Sequence, residues 1–230
     1  MQTAFSTELA LVAADGRRLS ECSCDPSPSP PPPACTWANC AVEYLNLASV
    51  NSNLKGFRYG FATSTHAYLV PYHNGAYSGF APRVSLSDFT ASGVEVLDLA
   101  SVNSNLKGFY DGFATSTHIY YVPRIGNGPR SGYAARVSLS DFTASGVEIL
   151  NLASVNSNLK GFKGGFATST HAYYVPMSAT NSACSGYAAR VSLSDFTASG
   201  VEYLNLESVN SNLKCFDGGF ATSTHAYYVP

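Results

Sequence analysis

Four histidines, His66, His118, His171 and His225, recur at intervals of 52, 53 and 54 residues. Imidazole is a common metal ligand, so a ring of metal-binding histidines is the first chemistry to weigh. Each one, however, opens the same tyrosine-rich segment, once per copy. Symmetry keeps such residues apart unless they line an axis. The sequence therefore assigns them to architecture, and no metal site or cofactor is expected. Arg83, Arg136 and Arg190 precede Glu95, Glu148 and Glu202 by 12 residues each. That spacing across a short turn predicts an ion pair inside every copy. Serine and threonine are abundant, yet nothing suggests an activated nucleophile among them, so no catalytic residue is assigned. The glycines open strands rather than helices and form no phosphate loop.

The six cysteines form two groups. Cys22, Cys24, Cys35 and Cys40 flank a proline run. Their spacing is compatible with a zinc site, or with two disulfides in an oxidising compartment. No helical or hairpin pattern preorganises four ligands there, and unpaired loop thiols are the expectation. Cys184 and Cys215 lie inside the repeats. Cys215 stands where the other copies have Gly56, Gly108 and Gly161.

These residues belong to a chain that spells one segment four times. The segment runs Leu-Lys-Gly-Phe…Gly-Phe-Ala-Thr-Ser-Thr-His…Val-Pro and starts at Leu54, Leu106, Leu159 and Leu213. The period grows only between Val-Pro and the next Ser-Gly, which marks a surface loop. Each period holds four strand candidates, exemplified by residues 112–115, 119–122, 136–140 and 147–152. Aromatic, Thr-rich and Val-rich segments punctuated by Gly favour strands. Four short antiparallel strands at a period near 50 are the signature of a β-propeller blade. Charged residues make up only 12% of the chain and the net charge is −2. Neither a nucleic-acid partner nor an acidic membrane is expected from that balance. No apolar run approaches the length needed to span a bilayer. Residues 9–14 are too short and lack the basic flank of a secretory leader. No Asn-x-Ser/Thr sequon occurs, which favours an unglycosylated, cytoplasmic setting.

The pattern Gly-Gly-Phe…His-Ala-Tyr-Tyr-Val-Pro…Gly-Tyr-Ala-Ala-Arg-Val-Ser-Leu-Ser-Asp-Phe resembles kelch-type β-propeller repeats of a microbial and algal branch. The resemblance covers residues 42–230 and includes the double glycines Gly164-Gly165 and Gly218-Gly219. Copies one and two read Tyr59-Gly60 and Asp111-Gly112 instead, and the later tryptophan of kelch is missing.

The expected fold is all-β, a propeller of four-stranded antiparallel blades over residues 42–230. Residues 1–41 carry an N-terminal strand, a Pro-rich spacer and a Cys-containing loop. Three blades are complete, at residues 60–99, 112–152 and 165–206; the fourth has two strands within residues 219–230. Its missing pair is expected from residues 10–13 and 42–47, with Trp37 aligned to Phe89, Phe142 and Phe196. That closes four blades with strands from both chain ends. The alternative is an open arc of a larger propeller, with self-association if the ring is open.

In an up-and-down blade, the loops from strand two to three and from strand four to the next blade emerge together. One rim then combines the amides Asn51, Asn103, Asn156 and Asn210 with the variable residues Tyr72, His73, Asn74, Tyr77, Arg124, Asn127 and Arg130. Amides beside aromatic faces suit sugars or peptides; the same asparagines also serve as turn formers. The functional expectation is a non-enzymatic scaffold binding protein or carbohydrate at this rim. The competing expectations are a propeller lyase or oxidase, and a fragment of a larger propeller protein without activity of its own.

Overall fold

The computed structural model describes residues 8–12, 42–125, 130–178 and 183–230. The proline run, Trp37 and the first four cysteines lie outside the described residues, as does Asn127. Among the described residues, sixteen strands form five antiparallel sheets. β1 (Glu8–Val12) pairs with β2 (Val42–Asn46). Three four-stranded sheets follow in strict chain order. The first holds β3 (Phe57–Ala62), β4 (His66–Pro71), β5 (Phe80–Ser85) and β6 (Val94–Asp98). The second holds β7 (Asp111–Ala114), β8 (His118–Val122), β9 (Tyr133–Ser138) and β10 (Val147–Asn151). The third holds β11 (Phe162–Ala167), β12 (His171–Pro176), β13 (Tyr187–Ser192) and β14 (Val201–Asn205). β15 (Gly218–Ala221) and β16 (Ala226–Val229) make a last two-stranded sheet. Among the described residues no helix is long and apolar enough to cross a membrane.

The fold is all-β with repeated four-stranded blades, as expected from the sequence. The N-terminal strand also forms, in register with β2. The third strand differs most, running Tyr133–Ser138 rather than 136–140, while the other three shift by a single residue. Tyr133, Ala134 and Ala135 pair with Asn151, Leu150 and Ile149. Beyond Ser138 the chain turns away, with the Ser140 amide donating to Ser138 Oγ. Alanines signal strand weakly, but small side chains fit where the neighbouring sheet presses close. β1–β2 and β15–β16 remain separate sheets, with no ladder between them.

The core is a series of layers between sheets. Leu45, Leu47 and Leu54 pack with Val84 between β1–β2 and the first blade. Tyr68, Leu97, Phe109, Ile119 and Val137 fill the next layer, and Tyr120, Leu150, Phe162, Tyr174 and Val191 the one after. Buried aromatic and branched side chains each contribute roughly 1.5–3 kcal/mol. The first strands β3, β7, β11 and β15 lie side by side in sequence.

A polar clamp crosses the two junctions between complete blades. Arg136 forks onto Glu148 in its own blade, with both bonds at 2.8 Å. Its remaining nitrogen donates to the Leu193 carbonyl of the next blade at 2.8 Å. The guanidinium lies 4.7 Å from the Phe196 ring centroid. Arg83 repeats this with Glu95, the Leu139 carbonyl and Phe142. The expected ion pairs are therefore present, and they do more than join neighbouring strands. His118 is fixed between Thr117 Oγ1, at 2.9 Å, and Glu148, at 3.4 Å.

Arg136→Ala is expected to cost about 2–3 kcal/mol, losing a fork, a carbonyl bond and a cation–π contact at once. Arg136→Lys should recover little of it, because ammonium cannot fork; thermal unfolding reads both. Acid should weaken the same junctions. Burial, then Arg136, hold His118 below its usual value of 6.5, against the pull of Glu148. The bond from Arg136 holds Glu148 below its usual value of 4.5. Both groups bind protons less readily folded than unfolded. Their contributions are complete above those usual values and are lost as pH falls. The melting temperature should decline from about pH 6.5 downward and more steeply below about 4.5; a rise in acid contradicts the clamp.

Candidate functional site

Of the loop residues named from the sequence, Tyr72, His73 and Tyr77 are brought together. The loop after β4 folds onto the turn before β3: the His73 amide donates to the Gly56 carbonyl, and Asn74 Nδ2 donates to the Asn53 carbonyl. Tyr72 packs edge-on against Tyr77 with centroids 5.8 Å apart, and His73 against Tyr77 at 5.2 Å. The amides Asn51, Asn103, Asn156 and Asn210 each accept a bond from the backbone two residues on, at 2.9–3.0 Å. Their side-chain oxygens shape the turn that leads into the buried leucine.

At the centre of the first two blades' rim is a residue the sequence reading did not single out. Tyr110, at the approach to β7, is buried, and cations gather on its ring. Arg58, from β3, lies 4.4 Å from the ring centroid and donates to the Tyr110 hydroxyl. Arg124 lies 4.5 Å away, and Lys163, from β11, lies 5.9 Å away. Tyr72 meets Tyr110 perpendicularly at 5.9 Å, and Tyr59 tilts against it at the same separation. Such contacts are stronger where water is excluded. Arg124 is itself buried and donates to the Met177 sulfur. Burial, then the charge of Arg130, hold its guanidinium below the usual range, opposed by Tyr110 and Tyr72. Burial raises the Tyr72 hydroxyl.

Two carboxylates complete the group. Asp217 pairs with Lys163. Asp111 accepts from the Gly112 amide at 2.8 Å and the Gly165 amide at 3.2 Å. Burial pushes Asp111 up, and those two amides pull it back down. Arg58, Tyr59 and Tyr77 remain open to solvent. The patch thus offers three cations and several aromatic faces, with its one exposed acid already paired.

Sequence reasoning missed Arg58, Tyr59, Tyr110, Asp111, Lys163 and Asp217, although a signal was there. They occupy two adjacent columns that differ among copies otherwise held nearly identical: Arg58, Tyr110, Lys163, Asp217 and Tyr59, Asp111, Gly164, Gly218. The four recurring histidines stay on separate sheets, and among the described residues no three metal-ligating side chains meet.

Farther along the rim a disulfide joins Cys184 to Cys215. The two positions are also neighbours in the earlier copies. A Cβ on Gly108 would meet Tyr77, and one on Gly161 would meet Arg130. Gly56, Gly108 and Gly161 have positive φ, and a Cβ there would strike the carbonyl of His73, Ile125 or Ser178. Cys215 keeps the same conformation, with φ 63°.

Compared with known proteins, the chain matches no family model and no curated protein.

Cys215→Gly suits the backbone and removes only the bond. It should lower stability by about 3–4 kcal/mol for a closed loop of 31 residues, read as an earlier unfolding of the C-terminal sheet. A reducing agent should destabilise the same sheet in the parent protein and leave that sheet of the variant unaffected.

Proposed function

We propose that this chain is a non-catalytic binding scaffold that takes an acidic ligand, a carboxylate-bearing carbohydrate first, on the rim of its first two blades. One observation carries the reading: the columns that differ between near-identical copies converge on a single cationic and aromatic patch around Tyr110. Side chains serving only the fold repeat from copy to copy, whereas these do not. Arg58 is exposed and lies between Tyr59, Tyr72 and Tyr110. A guanidinium can fork onto a carboxylate while a neighbouring tyrosine takes the apolar face of a sugar ring. Arg124 adds positive potential from beneath, while Lys163 is balanced by Asp217. A protein ligand would reach the same patch through an acidic segment.

The test is an array carrying uronic-acid glycans, neutral glycans and acidic peptides. Acidic glycans should bind, with affinity falling as salt rises. Arg58→Ala and Tyr59→Ala should each weaken binding by roughly tenfold or more. Retention of neutral glycans alone, or binding indifferent to both substitutions, defeats the reading. Turnover of a bound sugar would move the protein to the enzyme class.

A further inference from the structure

The two-stranded sheets at the ends of the row are complementary halves of one blade. β15–β16 occupies the first two strand positions and β1–β2 the last two. The register agrees: Val12 lies opposite Val42, as Val84 lies opposite Val94 and Val191 opposite Val201. At each internal junction the following sheet covers the same side chains. Leu45, Leu97 and Leu150 are at most 8% exposed, while Leu204, their equivalent in β14, is 67% exposed. The Arg136 side chain is 9% exposed beneath Phe196; that of Arg190 is 41% exposed. Tyr227 is exposed where Tyr68 and Tyr120 are buried. A cleft of about 470 Å3 lies among Tyr173, Arg190, Leu204 and β16, where a third strand and its following turn sit in the earlier blades.

We infer that the β1–β2 half-sheet of a second copy fills this place, so that two copies close head to tail into one ring. β1 of one chain pairs with β16 of the other in the register of the whole blades. Ala226 lies opposite Val12, Tyr227 opposite Leu11 and Tyr228 opposite Ala10, as Ala172, Tyr173 and Tyr174 lie opposite Val191, Arg190 and Ala189. Each copy supplies three complete sheets, and two shared ones bring the ring to eight. The inserted pair covers Leu204 and Tyr227 and gives two free strand edges their partners.

Two observations favour a second copy over the chain's own N-terminal half. Among the described residues β15 is not packed against β3 as it is against β11, so the row is an open arc. β1–β2 is already held on the first blade by Leu9, Leu45 and Leu47. Reaching its own β16 would bend close-packed layers that resist deformation. The inference is independent of the rim patch.

Light scattering of the purified chain after size exclusion should give twice 24.3 kDa. Leu204→Glu and Tyr227→Arg should each return the mass of one chain. Both side chains are exposed in a single chain, so these substitutions leave its fold intact, which unchanged far-UV circular dichroism confirms. A one-chain mass for the parent protein, a ladder of larger open assemblies, or a two-chain species untouched by both substitutions overturns the inference.

Discussion

Each blade of this protein has two apolar faces, and neither is stable in water until another sheet lies against it. The structure depends on that mutual cover. Between complete blades it is delivered by a repeated layer: a tyrosine on the second strand of one sheet and a phenylalanine following the third strand of the next. Tyr68 meets Phe142 at 6.0 Å and Tyr120 meets Phe196 at 5.9 Å, both edge-on. The arginine clamp is laid over the same contact. It joins a carboxylate in its own blade to a carbonyl and a ring in the next, which ties the angle between sheets to their internal pairing. Dispersion and hydrophobic burial supply the energy; the directional bonds keep one junction like another.

That rigidity separates two kinds of position. Strand interiors, turn asparagines and strand-opening histidines are committed to the sheet or its junctions and repeat almost unchanged. The start of the first strand and the residue after Val-Pro face the rim, where different side chains can be accommodated. Arg58, Tyr110, Lys163 and Asp217 stand one per sheet, within or just before adjoining first strands, so four substitutions to one repeat build a composite surface. Tyr110 is its hub because three cations lie within 5.9 Å of its ring centroid. A single repeat, however often copied, could not make that surface.

Cys215 shows how a small departure from the repeat alters an end of the row. Glycine is needed at its counterparts because the following loop presses a carbonyl against them. At position 215 a side chain occupies that space and is bonded to Cys184, in the column held by Tyr77 and Arg130 earlier. The last sheet, which lacks the cover of a complete neighbour, is thereby fastened to the third blade through a covalent bond.

Much of the fold was legible in the sequence. Alternating apolar residues, Thr-Ser-Thr turns and a fixed period identify strands and their order, because these are short-range consequences of backbone pairing. The Arg–Glu pairs follow from the same register. Tyr72, His73, Asn74, Tyr77, Arg124 and Arg130 were legible as loop residues because the length varies there, but the burial of Arg124 was not. The early start of β9 was not, since Ala134 and Ala135 gain their strand conformation from the sheet above rather than from propensity. Nor was the cluster on Tyr110, whose members sit in segments of constant length about one period apart. The sequence by itself determined the repeating unit and its local hydrogen bonding. Only the tertiary structure decided which columns of successive copies touch, that Cys184 reaches Cys215, and that the two half-sheets form no ladder with each other. The angle at which one sheet rests on another is set by packing across the interface, and no run of neighbouring residues encodes it.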